Sequence, residues 1–243
     1  MEQLNPHKKI SILEKPYTVW IIDNLFPIET PRKINEEWPD VTDPRWFRGY
    51  QKIGEEKNLL EGGIKIAISN YEEMPPFTQE ILQFFHSPEF TSYLSEVTGI
   101  SGLLPDETLH WSGIRGMLPG SWQLIHSDAR KHPVTKQRKE LTVLYYLNED
   151  YERVRDEGCL ELWNDDMTMC VEKVEPLFNR LVIFQCTDTS YHGVPTVKGE
   201  RRFITFSPVS SQEGTERYKA LFVPRPEDPD FITEMGKNRS LLY

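Results

Sequence analysis

Cysteine and long apolar runs are scarce in this sequence, and each shortage excludes a class of protein. The 243 residues include three cysteines, Cys159, Cys170 and Cys186. Their number is odd and none has C-x-x-C spacing, which argues against a disulfide framework and a cysteine zinc site and favours a reducing, cytoplasmic setting. Because no run of about 18 apolar residues could span a bilayer, we expect no membrane association.

A secretory signal and an excess of positive charge are missing as well. The first residues, "MEQLNPHKKISILEKPY", show no basic flank followed by an apolar segment and a small-residue cleavage site, so we expect no export. The net charge is −10 and the sequence pI is about 5.2. A negative net charge disfavours binding of a polyanion over a broad face, and we therefore expect no nucleic-acid partner. The sequence makes no prediction of the oligomeric state.

The composition, with 38% hydrophobic and 27% charged residues, is that of a globular domain. The length is sufficient for one large domain, and no internal repeat divides it. We therefore predict a single domain over residues 1–243. Residues 1–108 form its mixed α/β part, 109–210 its strand-rich core and 211–243 an irregular C-terminal tail.

The first hundred residues alternate between strand and helix patterns. "YTVWIID" predicts a strand, and "ETPRKINEEW" predicts a helix with Thr30 as its N-cap and Pro31 at the first helical position. "GIKIAIS" alternates isoleucines on one face, as a strand does, whereas "PFTQEILQFF" has helical spacing. Ser87 is placed to cap a further helix that ends at Gly99. These helices should flank the strand-rich core.

From about Leu109 the chain consists of short β-branched and aromatic runs bounded by Gly, Pro and Asp. The runs are "QLIH", "ELTVLYYLN", "GCLELW", "CVEKVEP", "RLVIFQC" and "RRFITFSPV". No helical pattern of ten or more residues separates them, which favours antiparallel strands in a sandwich or jelly roll. The predicted fold is mainly β with flanking α-helices.

The motif "HSD" places His126 and Asp128 two residues apart at the end of one of these strands. Side chains at that spacing on a strand leave the same face and can bind one ion. His192 follows another apolar strand and could supply a third ligand. His132, which precedes Pro133 in a basic loop, fits an ordinary surface histidine.

Two imidazoles and one carboxylate on one face leave several coordination positions open, which suits non-haem Fe(II) with a cosubstrate and O₂. A catalytic zinc could use the same ligand types, but the sequence has no "HExxH" helix, and the spacing of two favours iron. After His192, the run "HGVPTVKGER" leads into the strand "RFITFSP". A buried arginine at the start of that strand could pair bidentately with the carboxylate of a dicarboxylate cosubstrate.

From Gly113 to Pro208 the sequence resembles the prolyl 4-hydroxylase-like branch of the 2-oxoglutarate and Fe(II)-dependent oxygenases. The resemblance rests on "HSD", "LTVLYYLNED", "GCLELW", "VEPLFNRLVIFQ", "SYHGVP" and the P-x-x-x-G-x-R run, in that order. It implies a double-stranded β-helix (jelly-roll, cupin-like) core. It also implies that His126, Asp128 and His192 bind Fe(II), and that Arg201 binds the distal carboxylate of 2-oxoglutarate.

The resemblance further assigns Tyr146 and Thr205 to the 2-oxoglutarate pocket. Arg202 is the alternative to Arg201, since only one of two adjacent strand residues can point inward. Several relatives have a cosubstrate-contacting tyrosine on the strand before the H-x-D motif. Here the comparable stretch is "GMLPGSW", and we expect Leu118 in that place.

The implied activity is that of a dioxygenase with O₂ as second cosubstrate and ascorbate as reductant. It would hydroxylate an unactivated C–H bond, with release of succinate and CO₂. The resemblance favours a prolyl residue of a peptide or protein as substrate, with a free amino acid or other small metabolite as the alternative. A non-catalytic jelly-roll binding module is the alternative from another class, and the intact triad together with the arginine argues against it.

Overall fold

The computed structural model describes residues 4–48, 65–214 and 221–227, and strands predominate there. The strands are β1 (Lys9–Leu13), β2 (Val19–Asp23), β3 (Phe47–Arg48), β4 (Lys65–Ile68), β5 (Gly113–Met117), β6 (Gln123–Ser127), β7 (Gln137–Lys139), β8 (Leu141–Tyr146), β9 (Leu160–Trp163), β10 (Cys170–Val174), β11 (Arg180–Gln185), β12 (His192–Val194), β13 (Arg201–Phe206), β14 (Val209–Glu213) and β15 (Leu221–Val223). The helices are α1 (Glu29–Glu36), α2 (Pro76–Phe85), α3 (Pro88–Thr98) and the single turn α4 (Arg153–Asp156), with a 3₁₀ turn at Tyr71–Glu73. The predicted mainly β fold with flanking helices is confirmed.

The strands form two large sheets and one small one. The eight-stranded sheet has the order β1-β2-β11-β8-β13-β5-β4-β3, and the five-stranded sheet has the order β10-β9-β12-β6-β15. Strands β14 and β7 form the two-stranded sheet. Every strand pair in the described residues is antiparallel, as the short connections predicted.

The eight-stranded sheet is covered on both faces, which explains why all six residues of its central strand β8 are buried. Its outer face packs against the helices in a cluster that includes Phe26, Phe85 and Tyr145. Its inner face packs against the five-stranded sheet in a second cluster that includes Leu144, Tyr146 and Leu162. We call these the outer and inner clusters. Alternation along β8 therefore sends neighbouring side chains into two different environments.

The helices α2 and α3 follow the sequence signals closely. Phe77 and Phe85 are buried on the face of α2 that the helical spacing indicated. The Ser87 side chain accepts a hydrogen bond from the backbone N–H of Phe90 at 3.1 Å, and Gly99 ends α3 in the left-handed conformation with φ of 72°. Both caps are therefore confirmed.

The predicted start of α1 is wrong by two residues. The helix begins at Glu29 with Ile28 as its N-cap, and Thr30 and Pro31 are buried within its first turn. A proline is tolerated there because the first N–H groups of a helix have no intrahelical acceptor. On β4, Ile66 and Ile68 are buried together as predicted, whereas Ile64 lies outside the described residues.

The C-terminal tail, predicted to be irregular, contributes strands where it is described. Strand β14 continues to Glu213 beside β7, and β15 pairs with β6 at the edge of the five-stranded sheet. An edge strand offers unpaired N–H and C=O groups, and pairing with β15 satisfies those of β6. None of the described helices is long and apolar enough to cross a membrane.

Candidate metal centre

Strand pairing brings His126, Asp128 and His192 together. His126 is the penultimate residue of β6 and Asp128 follows that strand directly, while His192 opens β12 and lies opposite His126 in the β6–β12 register. The possible ligand atoms of all three side chains lie within 4.8 Å of one another. Nε2 of His126 is 3.7 Å from Oδ1 of Asp128.

Backbone hydrogen bonds fix the orientation of both imidazoles. Nδ1 of His126 donates to the carbonyl oxygen of Leu124 at 2.9 Å, and Nδ1 of His192 donates to that of Ser190 at 3.0 Å. Nε2 of each ring is then the acceptor nitrogen, which is the state that a metal requires. Burial lowers the pKa of both histidines and keeps the rings neutral.

The third side chain, Asp128, is ionised. Burial alone would raise the pKa of its carboxyl group, but the nearby charge of Lys139 and a hydrogen bond from that lysine hold the pKa well below its usual range. Lys139 Nζ donates to Oδ2 at 2.8 Å and Thr142 Oγ1 donates to the same oxygen at 2.6 Å. These bonds orient the carboxylate so that Oδ1 faces His126.

Two neutral imidazoles and one ionised carboxylate on one side of a cavity fit a divalent transition metal. The set matches the two-histidine, one-carboxylate arrangement of non-haem Fe(II) sites, which leaves positions for further ligands. The donor atoms and their protonation states are therefore those that an iron ion would need.

Arg201 and Tyr146 form a second polar group in the inner cluster. Arg201 is buried at the start of β13, and its Nη2 donates to the Tyr146 hydroxyl oxygen at 2.7 Å. The guanidinium carbon lies 4.8 Å from the centroid of the Tyr146 ring and 4.7 Å from that of Phe203. Nε of Arg201 is buried and finds no hydrogen-bond partner among the residues that the structure describes. An unsatisfied buried donor on a cation indicates a place for an anionic ligand.

The neighbouring Arg202 lies elsewhere. Its Nη2 donates to Glu200 Oε2 at 2.7 Å near the surface, and its guanidinium carbon is 5.7 Å from the Trp38 ring. Alternation along β13 thus places Arg201, and not Arg202, in the cavity that contains the three candidate metal ligands.

That cavity has a volume of about 200 Å³ and is lined by His126, Asp128, His192, Arg201 and Thr205, among others. Thr205 lies on the cavity side as predicted by its spacing from Arg201, and its hydroxyl donates to the Val143 carbonyl oxygen at 3.1 Å. Ser207 also lines the cavity, and within the described part of the chain its buried hydroxyl has no hydrogen-bond partner.

Sequence reasoning missed Lys65, Arg115, Lys139 and Thr142, which line the same cavity. Thr142 lies four residues before Tyr146 on β8, and this even spacing was an available alternation signal, whereas Lys139 lies on β7 of the two-stranded sheet and had none. Lys65 and Arg115 had no such signal, because β4 and β5 join the site only through sheet pairing.

The expectation for Leu118 is wrong. Leu118 packs against the outer cluster, and the side chain from this part of the chain that lines the cavity is Arg115 on β5. Strand β5 covers Gly113–Met117, so only the first two residues of "GMLPGSW" belong to it, and Gly120 adopts a φ of 86° in the turn that follows.

The assignment of His132 to the surface is also wrong. Its side chain is fully buried. Nε2 lies 2.8 Å from the Thr108 hydroxyl, which in turn donates to Asp106 at 2.7 Å, while Nδ1 accepts the N–H groups of Val134 and Thr135. His132 thus organises a loop that the sequence pattern alone presented as basic and exposed.

Residues 114–206 match the sequence model of the 2OG-Fe(II) oxygenase superfamily. A prolyl hydroxylase from Trichoplax adhaerens, solved in complex with a hypoxia inducible factor oxygen degradation domain peptide fragment, is similar over 79% of this chain and 83% of its own, with a TM-score of 0.57 and 17% identity. A prolyl 4-hydroxylase from Phytophthora capsici is similar over 92% of this chain and 68% of its own, with a TM-score of 0.52 and 18% identity. No curated protein matches the chain in sequence. The solved structures confirm the jelly-roll fold, and the family model supports the resemblance of residues 114–206 to the 2-oxoglutarate and Fe(II)-dependent oxygenases.

Proposed function

We propose that this chain, whose residues 114–206 match the 2OG-Fe(II) oxygenase superfamily, is a 2-oxoglutarate- and Fe(II)-dependent dioxygenase. It hydroxylates an unactivated C–H bond and releases succinate and CO₂. The observation that carries the proposal is the presence in one cavity of the His126, Asp128 and His192 cluster and of a buried Arg201 with an unsatisfied donor. A metal ion alone would explain only the cluster, whereas a metal-chelating dicarboxylate explains both groups.

In this proposal His126, Asp128 and His192 hold Fe(II). With O₂ and 2-oxoglutarate, the bound iron supplies the oxidising chemistry, and the protein supplies binding, orientation and electrostatics. Lys139 and Thr142 keep the Asp128 carboxylate ionised and oriented, and the Leu124 and Ser190 carbonyls fix the tautomer in which Nε2 of each imidazole is unprotonated and able to act as a ligand.

Arg201 and Tyr146 hold the distal carboxylate of 2-oxoglutarate. The guanidinium group offers charged, directed donors, and the Tyr146 hydroxyl bonded to it is positioned to add a further one. Leu144, Leu160, Val194 and Phe203 line the cavity with apolar surface, which keeps water away from the reacting groups. Thr205 and Ser207 complete the pocket.

The resemblance supports a prolyl residue of a peptide or protein as the substrate. A free amino acid or small metabolite is the second candidate, and the cavity favours it. Its volume of about 200 Å³ lies below the roughly 300–1,000 Å³ of common ligand pockets. After 2-oxoglutarate has bound, such a cavity accommodates a small molecule or a single side chain.

We also propose that residues 1–243 act as one catalytic domain. The outer cluster supports this organisation, because Phe26 and Ile34 from the N-terminal part pack in it with Tyr145, Ile204 and Phe206 from the strand-rich core. A core separated from the N-terminal part would expose that apolar surface.

The direct test measures succinate release by purified protein with Fe(II), 2-oxoglutarate, O₂ and ascorbate as the reductant, in parallel with thermal stabilisation by Mn(II) and 2-oxoglutarate. We expect stabilisation by the two ligands together and slow succinate release that a true substrate accelerates. The variants His126→Ala and Asp128→Ala should lose both properties, whereas Arg32→Ala at an exposed surface ion pair should retain them.

A wild-type protein that shows neither stabilisation nor succinate release would refute the oxygenase proposal and favour a non-catalytic binding module. Stabilisation by Zn(II) that excludes 2-oxoglutarate would instead favour a zinc site.

A further inference from the structure

Cationic side chains outnumber acidic ones in the cavity. Lys65, Arg115, Lys139 and Arg201 line it, and Asp128 is the one acidic residue in the lining that the described residues form. A buried excess of one charge is costly unless a ligand of opposite charge compensates it.

Two of the four cations already have a role. Lys139 forms an ion pair with Asp128 at 2.8 Å, and Arg201 with Tyr146 is assigned to the distal carboxylate of 2-oxoglutarate. The other two are Lys65 and Arg115. Among the residues that the structure describes, neither forms an ion pair with a carboxylate.

Backbone carbonyl oxygens hold the guanidinium group of Arg115 in place. It donates to the backbone carbonyl oxygens of Ser112, Ile114 and Ile68, at 3.1, 3.0 and 3.4 Å. Burial lowers the pKa of Arg115 to about 10, and burial with nearby Arg201 lowers the pKa of Lys65 to about 7. Carbonyl dipoles thus hold Arg115 in place, but its charge is not neutralised.

Sheet register separates Lys65 and Arg115 from the group assigned to 2-oxoglutarate. Met117 of β5 lies between Lys65 of β4 and Arg201 of β13 in one cross-strand row. In the next row on the same face, Phe203 lies between Arg115 and Tyr146. Directly opposed residues in an antiparallel sheet share a face, so an apolar side chain stands between each cation and the Arg201–Tyr146 pair. The two cations are therefore placed to bind a second anionic group.

The cosubstrates do not remove the imbalance. Fe(II) and fully ionised 2-oxoglutarate carry equal and opposite charges, so their binding leaves the same excess of positive charge in the cavity. A neutral substrate would leave it too, and a cationic substrate would increase it. An anionic substrate is the one class that reduces it.

We propose that the substrate carries a carboxylate close to the C–H bond that is oxidised, and that Lys65 and Arg115 bind this carboxylate. The proposal rests on the proposed oxygenase function and specifies its substrate class. The cavity of about 200 Å³ restricts the anion to a small carboxylic acid, such as a free amino acid, or to one carboxylate-bearing residue of a peptide.

The test uses protein loaded with Mn(II) and 2-oxoglutarate, without O₂, and measures binding by thermal shift and calorimetry. The probes are the free L-amino acids beside their carboxamides, and N-acetylated, C-terminally amidated prolyl tripeptides that contain either Asp or Asn next to proline. We expect at least one carboxylate to bind about tenfold or more tightly than its matched amide, since about 1.4 kcal/mol corresponds to a factor of ten. The two sets of probes distinguish a free acid from a peptide.

Lys65→Gln and Arg115→Gln should each weaken binding of the responding carboxylate about tenfold and leave the affinity for 2-oxoglutarate within about twofold. Arg115→Lys, which keeps the charge, should restore part of the loss. The matched control is Lys9→Gln on the exposed edge strand β1 of the same sheet, which should not change either affinity. If Arg115→Gln does not fold, Lys65→Gln still decides the outcome.

Equal binding of acids and amides would overturn the proposal. So would the absence of any response to the carboxylates in protein that binds Mn(II) and 2-oxoglutarate, or a loss of 2-oxoglutarate affinity in the Lys65 and Arg115 variants. Each of these results leaves the oxygenase function intact. Failure of the wild-type protein to bind Mn(II) and 2-oxoglutarate would refute that function instead.

Discussion

Two neighbouring tyrosines of β8 show how differently the two faces of the large sheet are built. Tyr145 points into the outer cluster, where its ring centroid lies 5.5 Å from that of Phe26 and 5.6 Å from that of Phe85. Tyr146 points into the inner cluster, where its hydroxyl accepts a hydrogen bond from Arg201. Both side chains are fully buried. One face is closed by aromatic and aliphatic packing, and the other contains cations, a carboxylate and a cavity.

Because of this difference, the outer face contributes mainly to folding stability and the inner face mainly to ligand binding. Burial of apolar surface on the outer face is favourable for folding, at about 25 cal/mol per Å². Charges buried on the inner face are unfavourable until a ligand pairs with them. Substitutions on the outer face should therefore change the free energy of unfolding, and those on the inner face should change ligand affinity.

The largest effect on stability is expected for Phe85→Ala. The Phe85 ring stacks on Phe206 with centroids 4.7 Å apart and contacts several other rings, so its loss leaves a cavity that costs about 3–5 kcal/mol of unfolding free energy. Urea denaturation measures this change. Phe47→Ala is the matched control, because Phe47 is 70% exposed and its loss should change stability by less than about 0.5 kcal/mol. A large loss of 2-oxoglutarate affinity in folded Phe85→Ala would contradict the separation of the two faces.

The next effect concerns the two arginines of β13. Arg201→Ala should weaken 2-oxoglutarate binding about 100-fold, near 3 kcal/mol, because it removes the buried cation proposed to pair with the distal carboxylate. Arg202→Ala should change that affinity less than twofold, since its guanidinium group pairs with Glu200 near the surface. Calorimetric titration of the Mn(II)-loaded variants measures both. A larger loss for Arg202→Ala would reverse the assignment.

Lys65→Met should stabilise the protein without ligands by on the order of 2 kcal/mol at neutral pH, about half of what the full pKa difference represents, because solvent screens the charge of this partly buried side chain. Burial and Arg201 lower the pKa of Lys65 to about 7 in the folded protein, whereas the unfolded chain keeps the proton up to its ordinary pKa near 10.4. The cost of the buried charge is therefore complete below pH 7 and disappears as the pH rises from about 7 to about 10.

Denaturation of the wild-type protein and of Lys65→Met across this pH range checks whether the charge of Lys65 destabilises the folded protein. The difference in unfolding free energy between them should shrink as the pH increases, and the exposed Lys9→Met should show no such difference. A difference that grows with pH would mean that folding favours the protonated lysine.

The smallest effects come from removing single hydroxyl groups of the two tyrosines. Tyr145→Phe loses a buried hydrogen bond to Asn179 Oδ1 of 2.8 Å and should reduce stability by about 1 kcal/mol, with unchanged 2-oxoglutarate affinity. Tyr146→Phe should weaken 2-oxoglutarate binding about tenfold and change stability by about 1 kcal/mol or less. The free energy of unfolding and the 2-oxoglutarate affinity should be measured for both variants, each of which lacks one hydroxyl group. Equal effects of the two variants on the affinity would refute the separation of the two faces.

Much of the site was predictable because its residues follow local patterns. Alternation places His126 and Asp128 on one side of a strand end, and the spacing from Pro195 through Gly199 indicates Arg201. Tyr146 belongs to a quoted family motif. Each of these predictions depends on residues that are near one another in sequence, or on a resemblance that preserves their order.

The predictions that failed concern residues whose environment is set by distant parts of the chain. His132 is buried because Thr108 and Asp106 pack against it, and part of the tail forms β15 because the edge of β6 accepts a strand. Short strands flanked by glycine, such as β5, carry little local signal. Arg115 was missed for that reason.

The sequence by itself determined the classes of ligand, because imidazole, carboxylate and guanidinium groups at these spacings suit few chemistries. The sequence already favoured Arg201 over Arg202, whereas only the tertiary structure decided that Lys65 and Arg115 join the cavity. The physical reason is that antiparallel register aligns β4, β5, β13 and β8 side by side, across long separations in the chain. A lysine that is an ordinary charge in the sequence thereby becomes a half-buried cation beside the proposed iron site.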